Sequence, residues 1–195
     1  MRIEVYGTKI FSSDNPHSKD MNLTEIIAKQ TEDAYGWVTK LIRSIPDERW
    51  DDTPDIVDSN VSWQVGHLIV SYYYHSVMVT VGHQPDILKE VPLREYSAWF
   101  AYGSHPRQAV GQVAVPELRE QLAFMGEQSL AVIRALPPEE LDHALEPTSV
   151  VHPVASNQWE ALDWNVKHTM WHCGQLGILK RVVNERFDFG LRKVD

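Results

Sequence analysis

The chain has little that would direct it to an oxidising compartment, a membrane or a nucleic acid. It contains a single cysteine, Cys173, which excludes a disulfide framework within the chain and fits a reducing compartment. The formal net charge is −9 and there is no basic run, so neither a nucleic acid nor an anionic membrane surface is expected as a partner. The N-terminus lacks an apolar core of signal-peptide length, and no apolar run approaches the roughly 20 residues of a membrane span. We therefore expect a cytoplasmic protein.

The composition is that of a globular protein. Hydrophobic residues make up 43% of the 195 residues, which is enough for a sizeable core in one domain covering residues 1–195. The first 20 residues read as an irregular lead-in, in which residues 3–6 could be extended.

Hydrophobic residues recur at helical spacing in four long segments, at about 22–45, 59–81, 116–136 and 157–187. Asn22 with Glu25 resembles a capping box, and either Ser59 or Asn60 can cap the second helix. The remaining boundary signals are Pro46, which ends the first helix, Gly82, which ends the second, Pro116, which begins the third, and Asn157, which begins the fourth. These segments predict an all-α, four-helix bundle.

The connection between the second and third helices, residues 83–115, is unusually long. Its length allows those two helices to run parallel, because the chain must return along the bundle. Structureless loops of this length are uncommon and often functional. The connection carries four aromatic residues, Tyr96, Trp99, Phe100 and Tyr102. We predict that it covers part of a functional site.

A pair of histidines, His168 and His172, lies four residues apart on the fourth helix, so the two imidazoles share one face. Gln175 lies on the same face and could orient a ligand or a bound water. Several polar residues lie at the centre of the face of the fourth helix that is predicted to point inward. An unpaired buried polar group costs about 1–3 kcal/mol, so a bound metal ion would explain why polar side chains occupy this face. On the second helix, either His67 or His75 could be the third ligand, and His75 is interpreted as a residue beside the site.

The other candidate residues are less informative. The remaining histidines lie in predicted loops and are interpreted as surface residues: His17, His83, His105, His143 and His152. Cys173 follows His172 directly and is interpreted as a packed core thiol that points away from the metal. No catalytic acid or base is identified, and the candidates are His75, Gln175, Asp163 and Glu160.

The segment Trp63-Gln64-Val65-Gly66-His67-Leu68, together with His168-xxx-His172-xx-Gln175, resembles the DinB/YfiT-like superfamily. The resemblance covers residues 22–187. It implies an up-down-down-up bundle and a divalent metal, most often zinc or nickel, bound by His67, His168 and His172. It also implies homodimers. Relatives include transferases and isomerases that use a low-molecular-weight thiol, and metal-dependent hydrolases.

Three neutral imidazoles leave a divalent cation its full charge and one open coordination position, which is the usual arrangement of a catalytic site. The cation can lower the pKa of a bound water or of a bound thiol. The sequence therefore predicts a thiol-dependent S-transferase or a hydrolase acting on a small molecule. The alternative is a non-catalytic, dimeric helical-bundle stress protein in which the metal is structural or absent.

Overall fold

The computed structural model describes residues 21–190. The predicted irregular lead-in, the extended segment at residues 3–6 and the surface position of His17 lie outside the described residues. A single domain over residues 1–195 stays a prediction for the same reason.

The described part of the chain is all-α, as predicted. It contains no β-strand, and Ala144 and Asn157 form only an isolated antiparallel bridge. In chain order the α-helices are α1 (Leu23–Arg43), α2 (Val61–Tyr72), α3 (Val79–Val81), α4 (Pro85–Glu90), α5 (Leu93–Phe100), α6 (Pro106–Ala109), α7 (Val115–Ala135) and α8 (Gln158–Val183). A π-helical segment, Tyr73–Met78, joins α2 to α3 without interruption, and Pro138–Asp142 is a short 3-10 helix.

Three helices, α1, α2 and α8, begin at asparagines whose side chains satisfy free backbone amides. Asn22 and Glu25 form the predicted capping box, with hydrogen bonds of 2.9 and 3.0 Å. Asn60, rather than Ser59, caps α2 by accepting from the amide of Trp63 at 2.8 Å. Asn157 caps α8 in the same way. Gly82 ends α3 with φ at 73°, a conformation that favours glycine.

The predicted end of the fourth helix, at residue 187, is wrong. α8 ends at Val183, and Asn184 leaves the helical region with φ at −142° and ψ at −101°. The departure lets the rings of Phe187 and Phe189 pack together, with centroids 5.0 Å apart, and lets Phe189 reach Trp37 on α1. Packing of Phe189 against Trp37 on α1 therefore accompanies the end of α8.

The 83–115 connection is not an open loop, because it contains α4, α5 and α6. Tyr96 and Phe100 of α5 are both almost fully buried in the main core. Prolines at the first turns of α4 and α6 suit a helix start, where the missing amide costs nothing. The connection thus forms part of the fold that supports α2.

The core lies between α8 and its neighbours. α1 packs against α7 and α8, and α2 packs against α5, α7 and α8. The inner face of α8 buries Ala161, Asn165, His172, Leu176, Leu179 and Val183. The up-down-down-up order of the helices stays a prediction. Among the described helices, none combines the length and the apolar character needed to cross a bilayer.

Candidate metal centre

The structure brings His67, His168 and His172 together between α2 and α8. Nε2 of His168 lies 3.4 Å from Nε2 of His67 and 3.2 Å from Nε2 of His172. One nitrogen from each of the three residues falls within 4.8 Å of the others. His67 and His172 are buried, and His168 is half-buried. The structure therefore gathers the predicted ligand set at one point.

Two of these imidazoles have their outer nitrogens fixed by oxygen acceptors. Nδ1 of His67 donates to the backbone carbonyl of Phe100 at 2.7 Å. Nδ1 of His172 donates to Oε1 of Gln64 at 2.5 Å. The amide nitrogen of Gln64 in turn donates to Ser59 and to Gln175, at 2.8 and 2.7 Å, and this fixes its oxygen toward His172.

This arrangement fits a bound cation. A neutral imidazole that donates from Nδ1 has an unprotonated Nε2, so His67 and His172 both direct lone pairs into the space beside His168. A cation placed between these nitrogens would be attracted by both lone pairs, and the three ligand atoms lie within 4.8 Å of one another. Three nitrogen ligands at 2.0–2.1 Å from a tetrahedral zinc are about 3.3 Å apart, which is close to the observed 3.2 and 3.4 Å.

The electrostatics favour neutral ligands. Burial, reinforced by the neighbouring histidines, lowers the pKa of His172 to about 2 and that of His168 to about 4. Burial also lowers the pKa of His67, although its hydrogen bond to Phe100 opposes the change. Uncharged imidazoles are the form that binds a metal, so the site is set for metal binding at neutral pH.

Gly66 allows α5 to approach His67. A Cβ atom at position 66 would lie inside van der Waals contact with the ring of Phe100. Without that atom, Phe100 packs directly on α2 and its carbonyl reaches His67. The close approach of Phe100 at Gly66 therefore has a specific result at the site.

His75 and His152 form a second pair beside the three ligands. Nδ1 of His75 lies 2.8 Å from Nε2 of His152, and the ring of His75 packs edge-on against His168 with centroids 5.2 Å apart. The prediction that His152 is a solvated surface residue is wrong, because its side chain is buried. The fold brings its loop back over the π-helical segment Tyr73–Met78, which local sequence does not reveal. The surface positions of His83, His105 and His143 are confirmed.

The other candidates lie apart from the three nitrogens. Gln175 is exposed and touches the site only through Gln64. Asp163 pairs with Lys167, and Glu160 accepts from Ser156. The hydrogen bonds from Ser156 lower the pKa of the exposed Glu160 carboxyl. Neither carboxylate is held toward the histidines, so the structure supplies no base from this pair.

Of the aromatic residues of the 83–115 connection, Phe100 lies beside the site through its backbone carbonyl at His67, and coverage of the open metal position by this connection stays a prediction. Tyr102 is 96% exposed, and Tyr96 and Phe100 pack in the core. Phe100 acts from behind His67, through its backbone. Cys173 is confirmed as a packed thiol, with burial raising its pKa to about 12.

Tryptophans outside that connection also border the site. Trp63 stacks on His67 with ring centroids 4.8 Å apart and planes within 9°. The ring of Trp164 lies 6.0 Å from that of His168 and meets Trp171 edge-on. Trp171 is 60% exposed. The surroundings of the histidines are therefore aromatic on both the α2 side and the α8 side.

Gln64 is the residue that sequence reasoning missed. It lies three positions before His67 and therefore on the same face of α2, which was the available signal. Its oxygen completes the alignment of His172, a ligand from a different helix.

Comparison with known proteins places the chain in a family. The family model described as the DinB superfamily matches residues 30–176, a range that includes all three histidines and Gln64. No curated protein matches the chain. The chain belongs to the DinB superfamily.

Proposed function

We propose that this DinB-superfamily chain is a metal-dependent enzyme that holds one divalent cation, zinc or nickel, with His67, His168 and His172. Its proposed substrates are a small molecule and a low-molecular-weight thiol, and its proposed reaction is S-transfer. The observation that carries the proposal is the convergence of three imidazoles, two of them aligned by Phe100 and Gln64. Three histidines leave a coordination position for a ligand, unlike the closed four-ligand sites of structural zinc.

The surroundings of the site favour thiol transfer over hydrolysis. A bound cation would lower the pKa of a coordinated thiol or water. Hydrolysis further benefits from an acid or base that handles protons at the leaving group. Asp163 and Glu160 are engaged within their own segment. Thiol transfer demands less of the surrounding residues, because a thiol that has lost its proton is already a strong nucleophile.

The protein's own groups hold and shield the reacting molecules. Phe100 and Gln64 keep the imidazoles of His67 and His172 in their metal-binding orientation. Trp63 and Trp164 present apolar ring faces beside His67 and His168. These surfaces favour an apolar or aromatic acceptor molecule, since such a substrate buries its surface against them.

The bundle order and the oligomeric state belong to the same proposal. We propose the up-down-down-up order for the four long helices and a homodimer as the assembly. Exposed apolar residues on α8 support an association surface, since Met170, Trp171, Ile178 and Val182 are all at least 43% exposed. Sedimentation of the purified chain at several concentrations tests the dimer.

A thiol-adduct assay tests the function. Protein reconstituted with zinc or with nickel is incubated with glutathione, mycothiol or bacillithiol and an aryl halide, and the thioether and released halide are quantified. Formation above the rate with metal-free protein, and its loss in His168→Ala, would support the proposal.

Two other outcomes would overturn the proposed reaction. Cleavage of an ester or amide panel without thioether formation would identify a hydrolase. Full metal occupancy without activity in either assay would favour the non-catalytic bundle, in which the metal is structural.

A further inference from the structure

We propose that the Nε2–H group of His75, held in that tautomer by His152, donates a hydrogen bond to the ligand that occupies the open metal position. The inference rests on the proposed metal site and adds a residue that is not a metal ligand. It assigns the class of group recognised there, namely an oxygen, nitrogen or sulfur atom with a free lone pair.

The tautomer follows from the hydrogen bonds alone. Nδ1 of His152 accepts a hydrogen bond from the backbone N–H of Ala155 at 2.9 Å and lies 3.4 Å from the backbone nitrogen of Val154. Amides only donate, so Nδ1 of His152 is unprotonated and the ring's proton is on Nε2. That Nε2–H faces Nδ1 of His75 at 2.8 Å. Nδ1 of His75 must therefore accept, which leaves the proton of His75 on Nε2.

This Nε2–H group is a donor without a partner among the described residues. His75 is buried, and a buried donor left unpaired costs about 1–3 kcal/mol. The unpaired Nδ1 atom of His168 is fully enclosed, whereas the Nε2 atom of His75 is not. The donor of His75 is therefore not fully enclosed, and the ligand at the open metal position is its proposed partner.

The fold places this donor next to the metal ligands. The ring of His75 packs against that of His168, and His75 lies in the π-helical segment Tyr73–Met78. Segments of this kind occur frequently at functional sites, because the extra residue redirects the side chains that follow.

The loop that carries His152 is also fixed. The ring of Tyr74 stacks on that of His152 with planes within 11°, and its hydroxyl donates to the carbonyl of Val150 at 3.0 Å. Tyr74 thereby holds the loop against the π-helical segment, and His152 acts as a positioning residue for His75.

The first experiment measures the tautomers in the metal-free protein. Long-range proton–nitrogen NMR spectra distinguish protonated from unprotonated ring nitrogens, and the His75→Phe and His152→Ala variants assign the signals. We expect protonated Nε2 and unprotonated Nδ1 in both residues. A protonated Nδ1 in His75 would overturn the proposal.

The second experiment measures ligand binding to the cobalt-substituted protein, with azide as the probe and visible absorption as the readout. His75→Phe keeps an aromatic ring but removes the donor, so azide affinity should fall about tenfold while cobalt affinity is kept. His152→Ala should weaken azide binding as well. His152→Gln should restore it, because glutamine can accept from the loop amides and donate to His75. The exposed His143 provides the control, and His143→Ala should change nothing.

The outcomes separate the two proposals. Unchanged azide affinity in His75→Phe with cobalt bound would overturn the role of His75 and leave the metal site intact. No cobalt binding by the unaltered protein would overturn the metal site itself, and with it the ligand that His75 is proposed to contact.

Discussion

The backbone carbonyl of Phe100 accepts a hydrogen bond from Nδ1 of His67 at 2.7 Å. Phe100 closes α5, and His67 lies in the middle of α2. The connection between two long helices therefore takes part in the candidate metal centre without supplying a ligand. It fixes the direction in which His67 presents Nε2, and this depends on how closely α5 can approach α2.

Replacing Gly66 with alanine tests that approach. The added Cβ would overlap the ring of Phe100, so α5 must shift and its carbonyl must move away from His67. We expect Gly66→Ala to lower the free energy of unfolding by about 1–3 kcal/mol and to weaken zinc binding. Urea unfolding and a chelator competition measure the two effects.

Gly36→Ala is the matched control. Gly36 lies in α1 with no atom within 4 Å of an added Cβ, so alanine there should stabilise the protein by about 0.5–1 kcal/mol. Its zinc affinity should not change. Equal zinc affinity in both variants would show that the Phe100 carbonyl does not align His67.

Gln64 offers a test of the second alignment. In Gln64→Leu the Nδ1–H of His172 loses its acceptor, and loss of such a partner typically weakens metal binding 10- to 100-fold. Gln64→Glu keeps an oxygen acceptor and should retain most of the affinity. Gln175→Ala, which removes only a contact of Gln64, should have a smaller effect. Isothermal titration with zinc gives the affinities, and a Gln64→Leu variant that binds zinc normally would contradict the assignment.

The pair on α8 could be predicted from the sequence because its signal is local, whereas the choice of His67 over His75 as the third ligand came only from the family resemblance. His168 and His172 share a helical face, and three of the long helices, α1, α2 and α8, have a capping residue that marks where they begin. Asn22, Asn60 and Asn157 all occupy those positions. Local patterns of this kind survive in the folded protein, because backbone hydrogen bonding at helix ends depends on neighbouring residues.

The remaining parts of the site depend on contacts between distant segments. His152 comes to His75 from a loop 77 positions away along the chain, and Gln64 comes to His172 across 108 positions. Helical periodicity places Gln64 on the same face of α2 as His67, but it identifies the distant partner in neither contact. The early end of α8 at Val183 also involves a distant contact, the packing of Phe189 against Trp37 of α1.

The stability of the metal-free protein should depend on pH. The pKa of His168 is lowered to about 4 and that of His172 to about 2, both from 6.5. The unfolded chain therefore binds more protons than the folded one below pH 6.5. Stability is fully present above that pH and is lost as the pH falls, down to about 4 for His168 and about 2 for His172, by up to about 1.4 kcal/mol per pH unit for each histidine that folding keeps neutral.

Urea unfolding at a series of pH values measures this loss. His172→Gln removes one of the titrating groups and should make the dependence shallower, whereas His143→Gln, at an exposed position, should leave it unchanged. An unfolding free energy that stays constant from pH 6.5 to 5 would mean that these imidazoles are not held neutral by the fold.

The most direct test of the account is the metal content of the purified protein. Elemental analysis should find one divalent cation per chain in the unaltered protein and none in the His67→Ala/His168→Ala double variant, because only one of the three converging nitrogens remains. The His105→Ala/His143→Ala double variant, which alters two exposed histidines, should keep its full content. Stoichiometric metal in the His67→Ala/His168→Ala protein would contradict the proposed centre.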